Sequence, residues 1–197
     1  LFITGGIGFI IAIFVLLFLK NPPNAERLLG GHITMKDIKE VFLERNLWIL
    51  GITIIGAYGA YFTTSELIST YAASIGFSQS VSALPSTLLL LMGIPGSFVG
   101  GYLADHYRKP KLVYSSFLIL TGLMFFFLLM DQGLTIWIVS IVVGFGLIAG
   151  FAPFTAYPGI MKDISKHNLA IAVGLLLTLA AIGGFSVPTI FGILAAS

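Results

Sequence analysis

Six long apolar stretches carry this chain, at residues 1–19, 47–72, 82–104, 111–130, 134–160 and 168–195, and polar residues collect almost entirely between them. About 20 apolar residues, each rising 1.5 Å, cover about 30 Å of hydrocarbon. Each stretch therefore predicts a membrane-crossing helix. The runs are too long for barrel strands and show no alternation of period two. In lipid the backbone must satisfy its own hydrogen bonds, and long apolar segments do so as helices. The predicted fold is an all-α membrane protein, a six-helix transmembrane bundle.

Five connections join these stretches, and only the first is long. "KNPP" at 20–23 stops the first span, because a residue before proline avoids the helix and proline has no N–H to donate. "TMKDIKEVFLER" then predicts a short amphipathic helix at the membrane surface. Thr34 and Asp37 fit a capping box, and Ile38, Val41 and Phe42 share one helical face. A solvated linker with a helical turn or two fits the same residues.

Composition supports the membrane assignment. The chain is 57% hydrophobic and 9% charged, against about 25% charged residues in a soluble domain. No soluble fold of 197 residues hides that much apolar surface. Cysteine is absent, which excludes disulfides, thiolate metal sites and a cysteine nucleophile. The apolar run from Leu1 has no basic region before it and does not resemble a signal peptide; a chain that starts and ends in apolar segments is expected to be a fragment of a longer one.

Charge then orients the spans. Lys20, Arg27, Lys36, Lys39 and Arg45 lie on the first connection, Arg108, Lys109 and Lys111 on the third, and Lys162 and Lys166 on the fifth. The second and fourth carry none of the ten basic residues. The positive-inside rule assigns loops 20–46, 105–111 and 161–167 to the cytoplasm, with a plasma (inner) membrane location expected.

The third connection lies within "GGYLADHYRKPK" at 100–111. Here the chain resembles the major facilitator superfamily of secondary transporters, whose signature in this place is roughly Gly-x-Leu-Ala-Asp-Arg-x-Gly-Arg-Arg/Lys. Gly101, Leu103, Ala104 and Asp105 match; His106 stands for the usual basic residue, and Arg108 and Lys109 follow without the intervening glycine. The last stretch, with Gly183, Gly184, Pro188 and Gly192, is similar to the family's eleventh helix, and the long basic connection to its central linker. The resemblance implies that residues 1–19 are the last helix of an N-terminal half, 20–46 the central linker and 47–197 five of the six helices of the C-terminal half. It also implies inverted three-helix repeats, 47–130 and 134–195, whose first helices line a substrate cavity. Gly101, Asp105, Arg108, Lys109 and Asp163 are then the gating loop, with Arg108 or Lys109 expected to approach Asp163.

Both implied first helices are rich in glycine, aromatics and threonine, "GITIIGAYGAYFTTSEL" and "VGFGLIAGFAPFTAYPG". Candidate substrate contacts are Tyr58, Tyr61, Thr63 and Thr64 on one and Thr155 and Tyr157 on the other, each also explicable by interfacial anchoring or helix packing. Glu66 is an ionisable residue inside an apolar segment, where a carboxylate suits proton binding. At about 28 Å along a helix from Leu47, it fits a solvated interfacial carboxylate equally. The Gly96–Gly100 and Gly146–Gly150 pairs point to close helix packing. His32, His106 and His167 are scattered over basic loops, so no metal site is expected, nor any cofactor or nucleic acid. No nucleophile–base constellation appears, which speaks against an enzyme. Two readings remain: a secondary active transporter of a small solute, coupled to protons or ions and completed by an N-terminal half, or a non-transporting sensor or anchor on the same bundle. No Lys or Arg lies inside a span, so these helices offer no anion anchor for a substrate.

Overall fold

The computed structural model describes residues 2–18, 33–127 and 133–196. It divides into two compact units, Leu1–Thr34 and Met35–Ser197. The first contains helix α1 (Phe2–Phe18), which covers the described residues of the span expected over 1–19. The proline stop at 20–23, Arg27 and His32 lie outside the described residues, as do 128–132 between the third and fourth long helices of the second unit.

The second unit holds α2 (Met35–Leu43), α3 (Arg45–Ser74), α4 (Gln79–Ser82), α5 (Leu84–Tyr107), α6 (Pro110–Phe127), α7 (Leu134–Ala156), a 3-10 turn (Tyr157–Ile160) and α8 (Leu169–Ala196). Five segments are long and apolar enough to cross a membrane: α3, α4–α5, α6, α7 with its 3-10 turn, and α8. The expected spans from residue 47 onward match these within a few residues. The architecture is all-helical, and the chain is an integral, multi-pass membrane protein.

Local chemistry sets the element boundaries. Glu44 separates α2 from α3; its side chain accepts from the backbone N–H of Asn46 at 3.2 Å, a cap for the new helix. Trp48 Nε1 donates to the Phe42 carbonyl at 2.7 Å and fixes the joint from the other side. Gly76, at φ 97°, ends α3 as the left-handed residue after the helix, with Phe77 N–H returning to the Ala72 carbonyl. Pro153 lies near the end of α7, and Pro158 sits inside the 3-10 turn into which the helix tightens.

Packing pairs the long helices in parallel: α3 with α8, and α5 with α7, while α6 lies on α7. Both pairs close on glycine. A Cβ at Gly183 would strike the backbone of Ile55, and one at Gly59 would strike Val187. Likewise Gly96 abuts the backbone of Phe145, and Gly100 that of Ala149. Lipid tails are as apolar as the side chains, so close van der Waals approach and not water exclusion holds such helices together. The outward faces are apolar, Phe98 and Phe185 being 76% and 77% exposed.

Helix α2 is docked and not loose. Val41 is buried in the cluster formed by Leu47, Ile54, Ala172 and Leu176. Asp37 pairs with His167 at 3.6 Å, and Asn168 Nδ2 donates to Glu40 at 3.4 Å. The amphipathic helix expected from 34–45 therefore forms, and it is held against the start of α8.

Candidate functional site

The two glycine-closed pairs share one plan. Ile55 and Gly59 of α3 stand 90 positions before Phe145 and Ala149 of α7, and Gly96 and Gly100 of α5 stand 87 before Gly183 and Val187 of α8. The contacts 55–183 and 59–187 in one pair thus reappear as 145–96 and 149–100 in the other. In each, the first helix of one three-helix group packs on the second helix of the other group. The α3–α8 pair runs from the basic end and the α5–α7 pair toward it, so the groups are inverted. In this register Gly56 and Gly146 coincide, as do Tyr61 and Phe151.

Between the pairs, α3 meets α7 through aromatic rings. Tyr58 lies 5.3 Å from Phe151 and 5.7 Å from Phe62, centroid to centroid. Phe151 stacks on Phe154 at 5.9 Å, and Phe154 reaches Tyr114 of α6 at 5.6 Å. The Tyr114 hydroxyl shares a hydrogen bond of 2.9 Å with Thr53 Oγ1. Toward the opposite end, Ser69 Oγ meets Ser86 Oγ at 2.7 Å, and Ser86 also donates to the Ser65 carbonyl. The helices are therefore joined by polar contacts on either side of an apolar middle.

The six tyrosine and threonine candidates do not converge on one place. Tyr58 and Tyr61 turn toward α7 and α5, Tyr61 packing beside the buried Leu89, Val139 and Val143. Thr63 and Thr64 line a different cleft of about 540 Å³ with Leu67, Tyr71, Phe125 and Phe191. Thr64 Oγ1 donates to the Ala60 carbonyl at 2.7 Å, whereas Thr63 Oγ1 is buried and finds no hydrogen-bond partner among the described residues. Thr155 bonds back to the Phe151 and Ala152 carbonyls. Tyr157 belongs to the basic end, where it lines a cleft with Thr53, Lys111, Tyr114 and Ser115. Glu66 is exposed and lines neither of these clefts.

At the basic end, α5 finishes at Tyr107 and Arg108 takes the left-handed conformation, φ 52° and ψ 29°. Gly101 sits in the last turns of α5 with only Ala152 Cβ at the edge of contact, 4.0 Å from where its own Cβ would be. Asp105, Arg108 and Lys109 are exposed. The expected approach of Arg108 or Lys109 to Asp163 is not made in this conformation: among the described residues neither forms an ion pair within 4.0 Å. The side-chain contacts at this end are instead Asp37 with the His167 ring and the ion pair Lys36–Glu40, the latter at 3.9 Å on the surface of α2. No group of three or more His, Asp or Glu that would hold a metal occurs among the described residues.

Sequence reasoning missed Thr53, Tyr114 and Phe154. Thr53 and Tyr114 are 61 positions apart, and Tyr114 sits on a helix with no implied part in the cavity. Only the excess of aromatics across α3 and α7 hinted at the ring contacts.

No curated protein and no solved structure matches the chain at a significant level. The family model described as Major Facilitator Superfamily matches residues 1–188. With five membrane-crossing helices and two inverted, glycine-closed pairs, this chain belongs to the Major Facilitator Superfamily, a family of membrane transporters.

Proposed function

We propose that the chain is the greater part of the C-terminal half of a secondary active transporter that moves a small solute by alternating access. The observation that carries this reading is the repeated 55–183/59–187 and 145–96/149–100 contact pattern. Two inverted groups that exchange partners in the same way form a unit able to rock as one body against another half, with the solute held near the bilayer midplane. Glycine at the contacts keeps each pair close enough to move together. The solute would meet the aromatic α3–α7 crossing around Tyr58 and Phe151, and the N-terminal half would supply the opposite wall. Loops 20–46, 105–111 and 161–167 face the cytoplasm of the plasma membrane in this reading, because all ten basic residues lie there.

Glu66 is the proposed coupling carboxylate. The test is uptake by the full-length protein in proteoliposomes, with a panel of sugars, amino acids, monocarboxylates and amphipathic cations under an imposed proton gradient. At least one solute should accumulate against its gradient. Glu66→Gln should abolish proton-driven accumulation while leaving the yield of folded protein unchanged. Accumulation unaffected by the substitution and by the gradient would make Glu66 a solvated interfacial residue. Absence of flux for every class, with correctly folded protein, would favour the non-transporting sensor or anchor.

A further inference from the structure

Two clefts open at the basic end of the bundle. One, of about 440 Å³, is bordered by Arg108, Lys109, Lys111, Leu112, Ser115 and Ile160. The other, of about 220 Å³, runs between α3, α6 and α7 past Ile49, Leu50, Thr53, Tyr114 and Phe154. They share Pro110, Lys111, Ser115 and Tyr157, so they abut as one groove. Its two ends differ in chemistry. The outer end carries three cations within four positions, all exposed, and among the described residues none of them forms an ion pair within 4.0 Å, with Asp105 and Asp163 the carboxylates of the adjoining turns. The first turn of α6 opens into the same end, with the Leu112 and Val113 N–H groups closed on the Lys109 carbonyl at 3.0 and 3.2 Å, so the positive charge there is that of the side chains. The inner end is lined by Ile49, Leu50, Pro153 and Phe154, with the Asn46 amide and the hydroxyls of Thr53, Tyr114 and Ser115 as its polar groups.

From this juxtaposition we infer that the groove binds an anionic phospholipid of the basic-side leaflet. The phosphate group is held by Arg108, Lys109 and Lys111 and the Ser115 and Tyr157 hydroxyls, and the upper part of an acyl chain lies along Ile49, Leu50 and Phe154. Basic residues just outside a membrane span attract anionic headgroups by about 1 kcal/mol each. A soluble phosphate would use the cations and leave the apolar arm wet, so the shape of the groove selects a lipid. The inference rests on the membrane embedding of the chain and does not require transport.

The test places the full-length protein in nanodiscs of phosphatidylcholine, with or without one quarter phosphatidylglycerol, and follows thermal unfolding. Native mass spectrometry counts the phosphatidylglycerol retained after purification. Phosphatidylglycerol should raise the unfolding temperature, and affinity should fall roughly fivefold for each cation replaced by glutamine at 108, 109 and 111. Lys162→Gln with Lys166→Gln, on the next basic loop, should retain the shift and the bound lipid. Ser115→Phe, which narrows the shared part of the groove without touching charge, should lower lipid retention even if the triple variant fails to fold. An unchanged shift in the triple variant, or normal retention in Ser115→Phe, overturns the site. Inorganic phosphate reproducing the full shift in phosphatidylcholine discs overturns the lipid in favour of a free anion.

Discussion

Arg108 occupies a backbone conformation that glycine adopts freely and other L-residues adopt at a cost of roughly 1–2 kcal/mol. The absence of a glycine between Tyr107 and Lys109 is plain in the sequence, yet the left-handed arginine that follows from it is not. The chain still has to turn between α5 and α6, and without glycine the arginine absorbs the strain. In discs of neutral lipid, Arg108→Gly should therefore unfold at a temperature equal to or slightly above that of the parent. The relief of strain exceeds the extra chain entropy of glycine, about 0.5–1 kcal/mol. Arg108→Val, which removes the same charge but is β-branched, should unfold several degrees lower. Equal temperatures for the two variants would show that the turn does not depend on this conformation. Similar limits apply to Tyr58, Tyr61, Thr63 and Thr64. Their residue types marked α3 as unusual, but a helix that is apolar on every face gives little periodic signal about which side meets a neighbour. The structure sends the tyrosines toward α7 and α5 and the threonines to a separate cleft.

Between elements, small residues decide what can pack on what. The Gly96–Gly100 and Gly146–Gly150 pairs were legible as packing motifs from their spacing alone. Their partners were not, because the motif fixes a smooth face and not the helix that meets it. Gly96 and Gly100 press on the backbone of α7, while Gly146 faces Thr121 and Gly150 faces Tyr114, both on α6. Helix α7 is thus clamped from two sides, which accounts for its many buried positions, from Ile136 to Phe154. Gly100→Ala would place a methyl group against the Ala149 carbonyl, where neither backbone can yield without separating α5 from α7. Overpacking of this kind costs about 1–3 kcal/mol. Gly122→Ala meets nothing within 4 Å and should gain about 0.5–1 kcal/mol from lower chain entropy. Unfolding temperatures should therefore move in opposite directions, down for Gly100→Ala and up for Gly122→Ala. A neutral Gly100→Ala would mean that the α5–α7 contact is looser than described.

For the whole molecule, the sidedness of charge is the property on which the functional reading turns. The segmentation into spans and the count of basic residues come from independent features, apolar length and ionisable positions, and they agree on which loops share a side. Apolar length was legible because hydrocarbon thickness imposes it on every span alike. The inverted arrangement of the two pairs was not legible as geometry, since it depends on contacts between helices about ninety residues apart. It follows that α3, α6 and α8 run away from the basic side and α5 and α7 run toward it, which a labelling experiment reads directly. These 197 residues contain no cysteine, so single cysteines can be introduced here once any thiol elsewhere in the full-length protein has been replaced. In sealed right-side-out vesicles of the full-length protein, a membrane-impermeant maleimide should label Ser78→Cys and Gly133→Cys, on the connections without basic residues. Lys109→Cys and Lys166→Cys should react only after the membrane is opened or inverted. Labelling of Ser78→Cys and Lys166→Cys from the same side would require an even number of crossings between them in place of the three seen here. The inverted relation of the two helix pairs, and with it the rocking unit proposed for transport, would then fail together.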